Sequence, residues 1–195
     1  MVRTKNGFVS KIVVAACLAI TPLSSIPAQE STITFEQEDV LEPGQFVWKP
    51  ANFTAGDVEV VVSIPLQMAY VYRGGTLIGM STVSTGKPGN DTPVGSFTIL
   101  QKKVHHRSNL YDNAPMPHMQ RLTWDGIALH AGKIPGYPAS HGCVRLPATF
   151  AKHLYGVTRL GATVTIIDEA PGSPDEALTI ANASSATLAS FASGG

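Results

Sequence analysis

The clearest alternation of hydrophobic and polar positions lies at 58–63. There Val58, Val60 and Val62 fall on one side of an extended chain, and Glu59, Val61 and Ser63 on the other. Period two marks a strand with one buried face, so a valine-lined strand is predicted there. β-rich runs follow at 68–72, 76–84 and 96–102. Arg73-Gly74-Gly75 joins the first two as a tight hairpin turn, because glycine accepts the positive φ such turns require. Residues 86–93, Gly-Lys-Pro-Gly-Asn-Asp-Thr-Pro, read as a loop. Residues 104–119 carry three histidines, two prolines and no period, and are expected to form a long loop of the kind that serves as a functional lid. A short apolar strand is predicted at 126–130, then a Gly/Pro loop at 131–140.

One helix is predicted, at 147–155. Pro147 opens it, Phe150, Leu154 and Val157 form its buried stripe, and Gly156 ends it. A last apolar strand is expected at 163–167. Ala, Ser, Thr and Gly dominate afterwards, and 169–195 reads as a disordered tail. Residues 29–56 are acidic, polar and punctuated by Pro43-Gly44 and Pro50, so they read as a linker or extended wrap. The folded domain is thereby expected at 57–168, mostly β, with no internal repeat.

The N-terminus changes the cysteine count. Arg3, Lys5 and Lys11 precede an apolar stretch at 12–20, followed by Pro22, Ser24, Ser25 and Pro27-Ala28. This is the pattern of a secretory leader, 1–28, and it is shorter than the roughly 20 apolar residues that span a bilayer. The expectation is a secreted protein of the periplasm or cell envelope, without stable membrane insertion. Val14-Ala15-Ala16-Cys17 looks like a lipoprotein cleavage box, but only five apolar residues separate Lys11 from Cys17, too few for that signal. Loss of the leader removes Cys17 and leaves Cys143 as the sole thiol, which in a secreted protein asks for a chemical role.

Net charge is zero, yet residues 44–167 hold eleven Lys/Arg against five Asp/Glu. A basic core suits a polyanionic surface such as an anionic wall polymer. No basic ladder interleaved with aromatics occurs, which excludes nucleic acid as a partner.

Candidate chemistry concentrates in His130 and in Ser140-His141-Gly142-Cys143-Val144-Arg145-Leu146. A thiol is a poor nucleophile near neutral pH until a base or positive field helps form the thiolate. His130 closes a predicted strand, and a twelve-residue loop can bring Cys143 back beside it. With no acidic residue from 126 to 167, a backbone carbonyl near Ala131 or Gly132 is expected to orient the imidazole. Gly142 frees the backbone, and the N–H groups of Gly142 and Cys143 are expected to form an oxyanion hole. Arg145 can hold a carboxylate in a bidentate fork. Zinc held by His130, His141 and Cys143 is the rival reading, short of a fourth ligand unless His105, His106 or His118 swings in. The expectation is a thiol site without metal or other cofactor.

These residues carry a resemblance. Tyr70-Val-Tyr-Arg-Gly-Gly, Ser84-Thr-Gly-Lys-Pro-Gly, Thr92-Pro-Val-Gly-Ser-Phe-Thr-Ile, His130 and Ser140-His-Gly-Cys-Val-Arg-Leu together resemble an L,D-transpeptidase catalytic domain of the YkuD type. The resemblance implies a mainly β fold, a β-sandwich with one short α-helix after the catalytic cysteine. It implies that Cys143 attacks a tetrapeptide stem of peptidoglycan, with loss of the terminal D-amino acid, and that His130 is its base. The acyl group then passes to an amine on a neighbouring stem, a D-amino acid or an envelope protein. Ser140 and His141 match positions lining the site, and Arg145 one near the substrate. The activity implied belongs to cell-wall organisation and cell shape, and makes the protein a carbapenem target. A hydrolase using water as acceptor and a non-catalytic wall-binding module are the alternatives. The interval from His130 to Ser140 is shorter than the family's commonest pattern, which tightens the loop between them.

Overall fold

The computed structural model describes residues 41–49, 55–108 and 113–192. The predicted leader 1–28, and the predicted linker up to residue 40, lie outside the described residues. Six strands build one sheet: β1 (Phe46–Trp48), β2 (Val58–Ser63), β3 (Met68–Arg73), β4 (Thr76–Thr82), β5 (Gly95–Thr98) and β10 (Thr163–Ile167). Their order is β1-β4-β3-β2-β10-β5. A second sheet runs β6 (Gln101–Lys103), β7 (Met119–Arg121), β8 (Ala128–Ala131), β9 (Val144–Leu146). Helix α1 (Ala148–Val157) follows β9, and helix α2 (Pro174–Ala192) follows β10. The chain is mainly β in two sheets, as its patterning predicts.

Val58, Val60 and Val62 point into one hydrophobic core with Ala69, Val71, Ile78, Val164 and Ile166. Leu129, Ala131, Val144 and Leu146 of the second sheet meet them there, with Phe150, Ala151 and Leu154 of α1. Phe150 is fully buried, edge-on to Trp48 with ring centroids 5.3 Å apart. Truncation of such a side chain to alanine costs about 3–5 kcal/mol. The β3–β4 turn forms as expected, with Gly74 and Gly75 at φ 54° and 78°, the pair of positive values that matches the twist of a two-residue hairpin.

Four expectations are corrected. Residues 96–102 are not one strand. β5 pairs with β10 in the first sheet and β6 with β7 in the second. The chain changes sheets at Ile99 and Leu100, whose N–H groups bond the carbonyls of Ala162 (3.0 Å) and Arg121 (2.8 Å). The described parts of 104–119 are not irregular. The β6–β7 register continues outward through His118 N–H to Val104 O (2.8 Å), Met116 N–H to His106 O (2.9 Å) and Ser108 N–H to Ala114 O (2.9 Å), so 104–108 and 113–119 pair as the two arms of a flap. Part of the predicted linker, Phe46–Trp48, is an edge strand paired with β4.

The fourth correction concerns the tail, where α2 replaces the disorder expected of 169–195. Ser173 caps the helix, its Oγ accepting the Glu176 N–H (3.2 Å), while Glu176 reaches back to the Gly172 N–H (2.7 Å). Ala177 and Ala181 are buried one turn apart, and α2 packs on β2, β5 and β10. Alanines suffice because the surface they cover is already apolar. It carries Val61 and Ile167, which explains why β2 is buried on both faces. The Ser-Pro-Asp-Glu start was the available signal; the lack of bulky residues hid the stripe. Ser173→Ala is expected to cost about 1 kcal/mol of local stability, seen as faster amide exchange over 177–186. Unchanged exchange would mean that packing alone holds the helix.

No described helix is long and apolar enough to cross a membrane.

Candidate active site

β8 and β9 run parallel with Leu129 opposite Val144 and His130 opposite Arg145. Side chains alternate along strands, so this register sorts them by face. Leu129, Ala131, Val144 and Leu146 enter the core. His130, Arg145 and the preceding Cys143 share the opposite face, and all three line one cavity of about 540 Å³. Neither strand, read alone, reveals this meeting. It is set by a pairing that spans the whole 131–140 loop.

His130 is buried, and its Nδ1 lies 2.9 Å from the carbonyl oxygen of its neighbour Ala131. A carbonyl only accepts, so Nδ1 carries the proton and Nε2 is the basic nitrogen. The backbone orienter expected from the sequence is thus the Ala131 carbonyl. Burial lowers the His130 pKa below its ordinary value and outweighs the opposing effect of that hydrogen bond; Arg145 and His106 lower it further. Cys143 is half-buried, against Met116, Met119 and Ala128, and its thiol donates to the Gly126 carbonyl at 3.4 Å. Burial raises its pKa, opposed by a backbone hydrogen bond from Ala128 and by the charges of Arg145 and Arg121. The two shifts run against a standing ion pair. Both favour the neutral forms, thiol and imidazole.

The turn before Cys143 is locked from several sides. Ser140 Oγ donates to the Cys143 carbonyl (2.5 Å) and accepts the Gly142 N–H (3.1 Å). Gly142 has φ 105°, a conformation that L side chains rarely adopt, so any other residue there would be strained. Of the N–H pair expected to form an oxyanion hole, that of Gly142 donates to Ser140 Oγ. Ser140 is 1% exposed and organises the turn rather than facing the cavity broadly.

Sequence reasoning missed the groups that hold this turn. Thr92 is buried; its Oγ1 accepts the Gly86 N–H (2.8 Å) and donates to the Gly142 carbonyl (2.8 Å). Thr85 O accepts the N–H groups of Ala139 and Ser140, both at 3.0 Å, and Ser84 pairs with Arg145 in a β-bridge. The composition of 84–93 signals only a loop, because what it supports lies some fifty residues away. Thr92→Val removes both bonds while keeping shape. It is expected to cost about 1–3 kcal/mol for the groups left unsatisfied, and to slow acylation of Cys143 by up to about 10²-fold through displacement of the turn. Thr92→Ser should restore both in a thermal melt and an acylation time course.

The cavity is also lined by His106, Met116, Arg121, Lys133 and the exposed His141. Arg121 and Met116 were not anticipated as site residues. His118 turns away from the cavity, its ring tilted against Tyr155 with centroids 5.6 Å apart. No group of three His, Cys, Asp or Glu side chains placed to hold a metal ion occurs among the described residues.

Comparison with known proteins bears on this geometry. The family model described as the L,D-transpeptidase catalytic domain matches residues 57–166. L,D-transpeptidase 1 of Mycobacterium tuberculosis is 26% identical over 136 residues, 60% of this chain and 53% of that protein. The chain thus spans about half the length of the curated relatives it matches. An L,D-transpeptidase structure from Stackebrandtia nassauensis superposes with TM-score 0.54 at 29% identity, covering 65% of this chain and 61% of that one. L,D-transpeptidase 3 of M. tuberculosis, solved in complex with a faropenem-derived adduct, superposes with TM-score 0.52 at 25% identity, covering 56% and 60%.

Proposed function

This chain belongs to the L,D-transpeptidase catalytic domain family, and from that membership we propose that it opens and rejoins peptidoglycan stem peptides through a thioester on Cys143. The observation that carries the reading is the β8–β9 register, which turns His130, Cys143 and Arg145 to one face and into one cavity.

The thiol proton passes to His130 Nε2 as Sγ attacks the carbonyl carbon of the third residue of a tetrapeptide stem. Because both shifts favour the neutral forms, the proton moves during attack rather than before it. The Ala131 carbonyl steadies the imidazolium through Nδ1–H. The Cys143 N–H stabilises the oxyanion, and the exposed His141 lies beside it. Collapse expels the terminal D-amino acid, which takes the proton from His130 and leaves the acyl group on sulfur. An amine then attacks the thioester, gives its proton to His130, and the thiol returns. Arg145 and Arg121 supply positive charge along the cavity for the carboxylates of the stem. The acceptor is an amine on a neighbouring stem, a free D-amino acid or an envelope protein. A secretory leader at 1–28, as the sequence pattern predicts, would carry this chemistry to the periplasm or cell envelope.

Mass analysis of muropeptides incubated with the purified protein tests the proposal. Cross-linked or D-amino-acid-exchanged products are expected, in step with release of the terminal D-residue. A tripeptide acid as the only product would make water the acceptor. Unchanged muropeptides, with Cys143 unreactive toward a carbapenem, would overturn the enzyme reading.

A further inference from the structure

The flap has two faces with different chemistry. His106, Ser108, Ala114 and Met116 line the Cys143 cavity. Lys103, His105 and Arg107 line a second cavity of about 450 Å³, closed by Pro115 and Pro117. His106, Pro115 and Pro117 border both. Lys103, His105 and Arg107, at alternate positions, border only the second cavity, and Ser108, Ala114 and Met116 only the first. Lys103, His105 and Arg107 recur at every second position, about 7 Å apart in extended chain. Among the described residues the lining consists of nitrogen-bearing side chains and prolines. Arg107 spends one guanidinium N–H on the Asn113 carbonyl (3.0 Å), an uncharged acceptor. Among the described residues the side-chain ion pair is Arg159 with Asp57, remote from this cavity. The catalytic chemistry uses none of these groups, and the basic balance of 44–167 finds here a built concave site.

We propose that this second cavity is an anion-binding subsite, taking successive carboxylate or phosphate groups of an anionic wall polymer that lies across the flap beside the stem being processed. Two cations four residues apart, Lys103 and Arg107, suit a repeating anion better than a single ion. A concave pocket of this size falls in the range of small-ligand sites. His106, shared by both cavities, makes the flap the wall between polymer and thioester. The identity of the polymer as wall material rests on the function proposed above; the anion site itself does not.

Titration calorimetry at low ionic strength, with short-chain polyphosphate, poly-L-glutamate of matched length and inorganic phosphate as probes, tests the subsite. The full chain is expected to bind at least one polymer saturably and more tightly than inorganic phosphate, with affinity falling as salt rises. Tighter polyphosphate binding would assign the anion to a phosphodiester polymer, and tighter polyglutamate binding to carboxylates. Lys103→Gln with Arg107→Gln should weaken binding tenfold or more, while Lys103→Arg with Arg107→Lys, which keeps both charges, should retain it. Equal affinity in wild type and the double glutamine variant, or no saturable binding by wild type, would overturn the proposal. Carbapenem acylation of Cys143, read on the same samples, should be unchanged by either pair. Its failure in wild type would strike the proposed reaction and leave the subsite standing.

Discussion

Cys143→Ala protein, incubated with a carbapenem and weighed intact, is expected to keep its unmodified mass, while wild type gains the mass of one drug molecule. Cys143 is the one cysteine in the cavity, and β-lactam opening needs an acyl-accepting nucleophile there. The related L,D-transpeptidase 3 with its faropenem-derived adduct provides the chemical precedent for that protein. Transfer activity should fall by roughly 10⁶-fold, the scale seen when a hydrolase loses its nucleophile. Cys143→Ser should fare little better, because a hydroxyl is far less acidic than a thiol and the site supplies burial rather than a strong positive field. The fold should survive. Cys143 is half-buried, and removal of one sulfur costs about 1 kcal/mol. An adduct on both proteins would place the nucleophile elsewhere.

His130→Ala should lower the acylation rate by about 10²–10⁴-fold with Cys143 intact, the usual cost of losing a general base. At 1.36 kcal/mol per decade this is roughly 3–5 kcal/mol of transition-state stabilisation. The pH profile distinguishes a base from a packing residue. Burial, Arg145 and His106 lower the His130 pKa, so the imidazole stays neutral, and able to accept a proton, to a lower pH than an ordinary histidine. Activity is lost as pH falls through that depressed value, and the acid limb of kcat/KM should lie below about 6.5, the unperturbed histidine value. Burial raises the Cys143 pKa, so direct alkylation of the His130→Ala thiol should keep climbing through the alkaline range. An acid limb unchanged in His130→Ala would remove the histidine from the proton transfer.

Much of the site was legible because its chemistry is local in sequence. Ser140-His-Gly-Cys and a strand-ending His130 marked a candidate nucleophile and base by residue type, and the absence of acids from 126 to 167 pointed to a carbonyl orienter, found as Ala131. The fate of the Gly142 N–H was not legible. It depends on the rotamer of Ser140, two residues away, which only the folded turn fixes. Thr92 was seen as part of a family motif without a role, since its partner Gly142 lies fifty residues on.

Period-two patterning located β2, β-rich runs located β3 and β4, an apolar run located β10 and a proline-led apolar stripe located α1, because each depends on a few neighbouring residues. β7 and β9 are three residues long, too short for periodicity to register, and exist through their partners. The flap escaped for a related reason: histidines and prolines give no alternation, yet the β6–β7 ladder carries them outward. α2 escaped because its alanines look featureless until an apolar sheet face is there to receive them. By itself the sequence determined which residues could supply a nucleophile and a base and that strands would frame them, since acidity, nucleophilicity and local periodicity reside in the residues. The tertiary structure alone decided which face those residues share, which N–H Ser140 engages and which cavity Lys103 and Arg107 line. Those follow from register and burial, set by contacts between segments far apart along the chain.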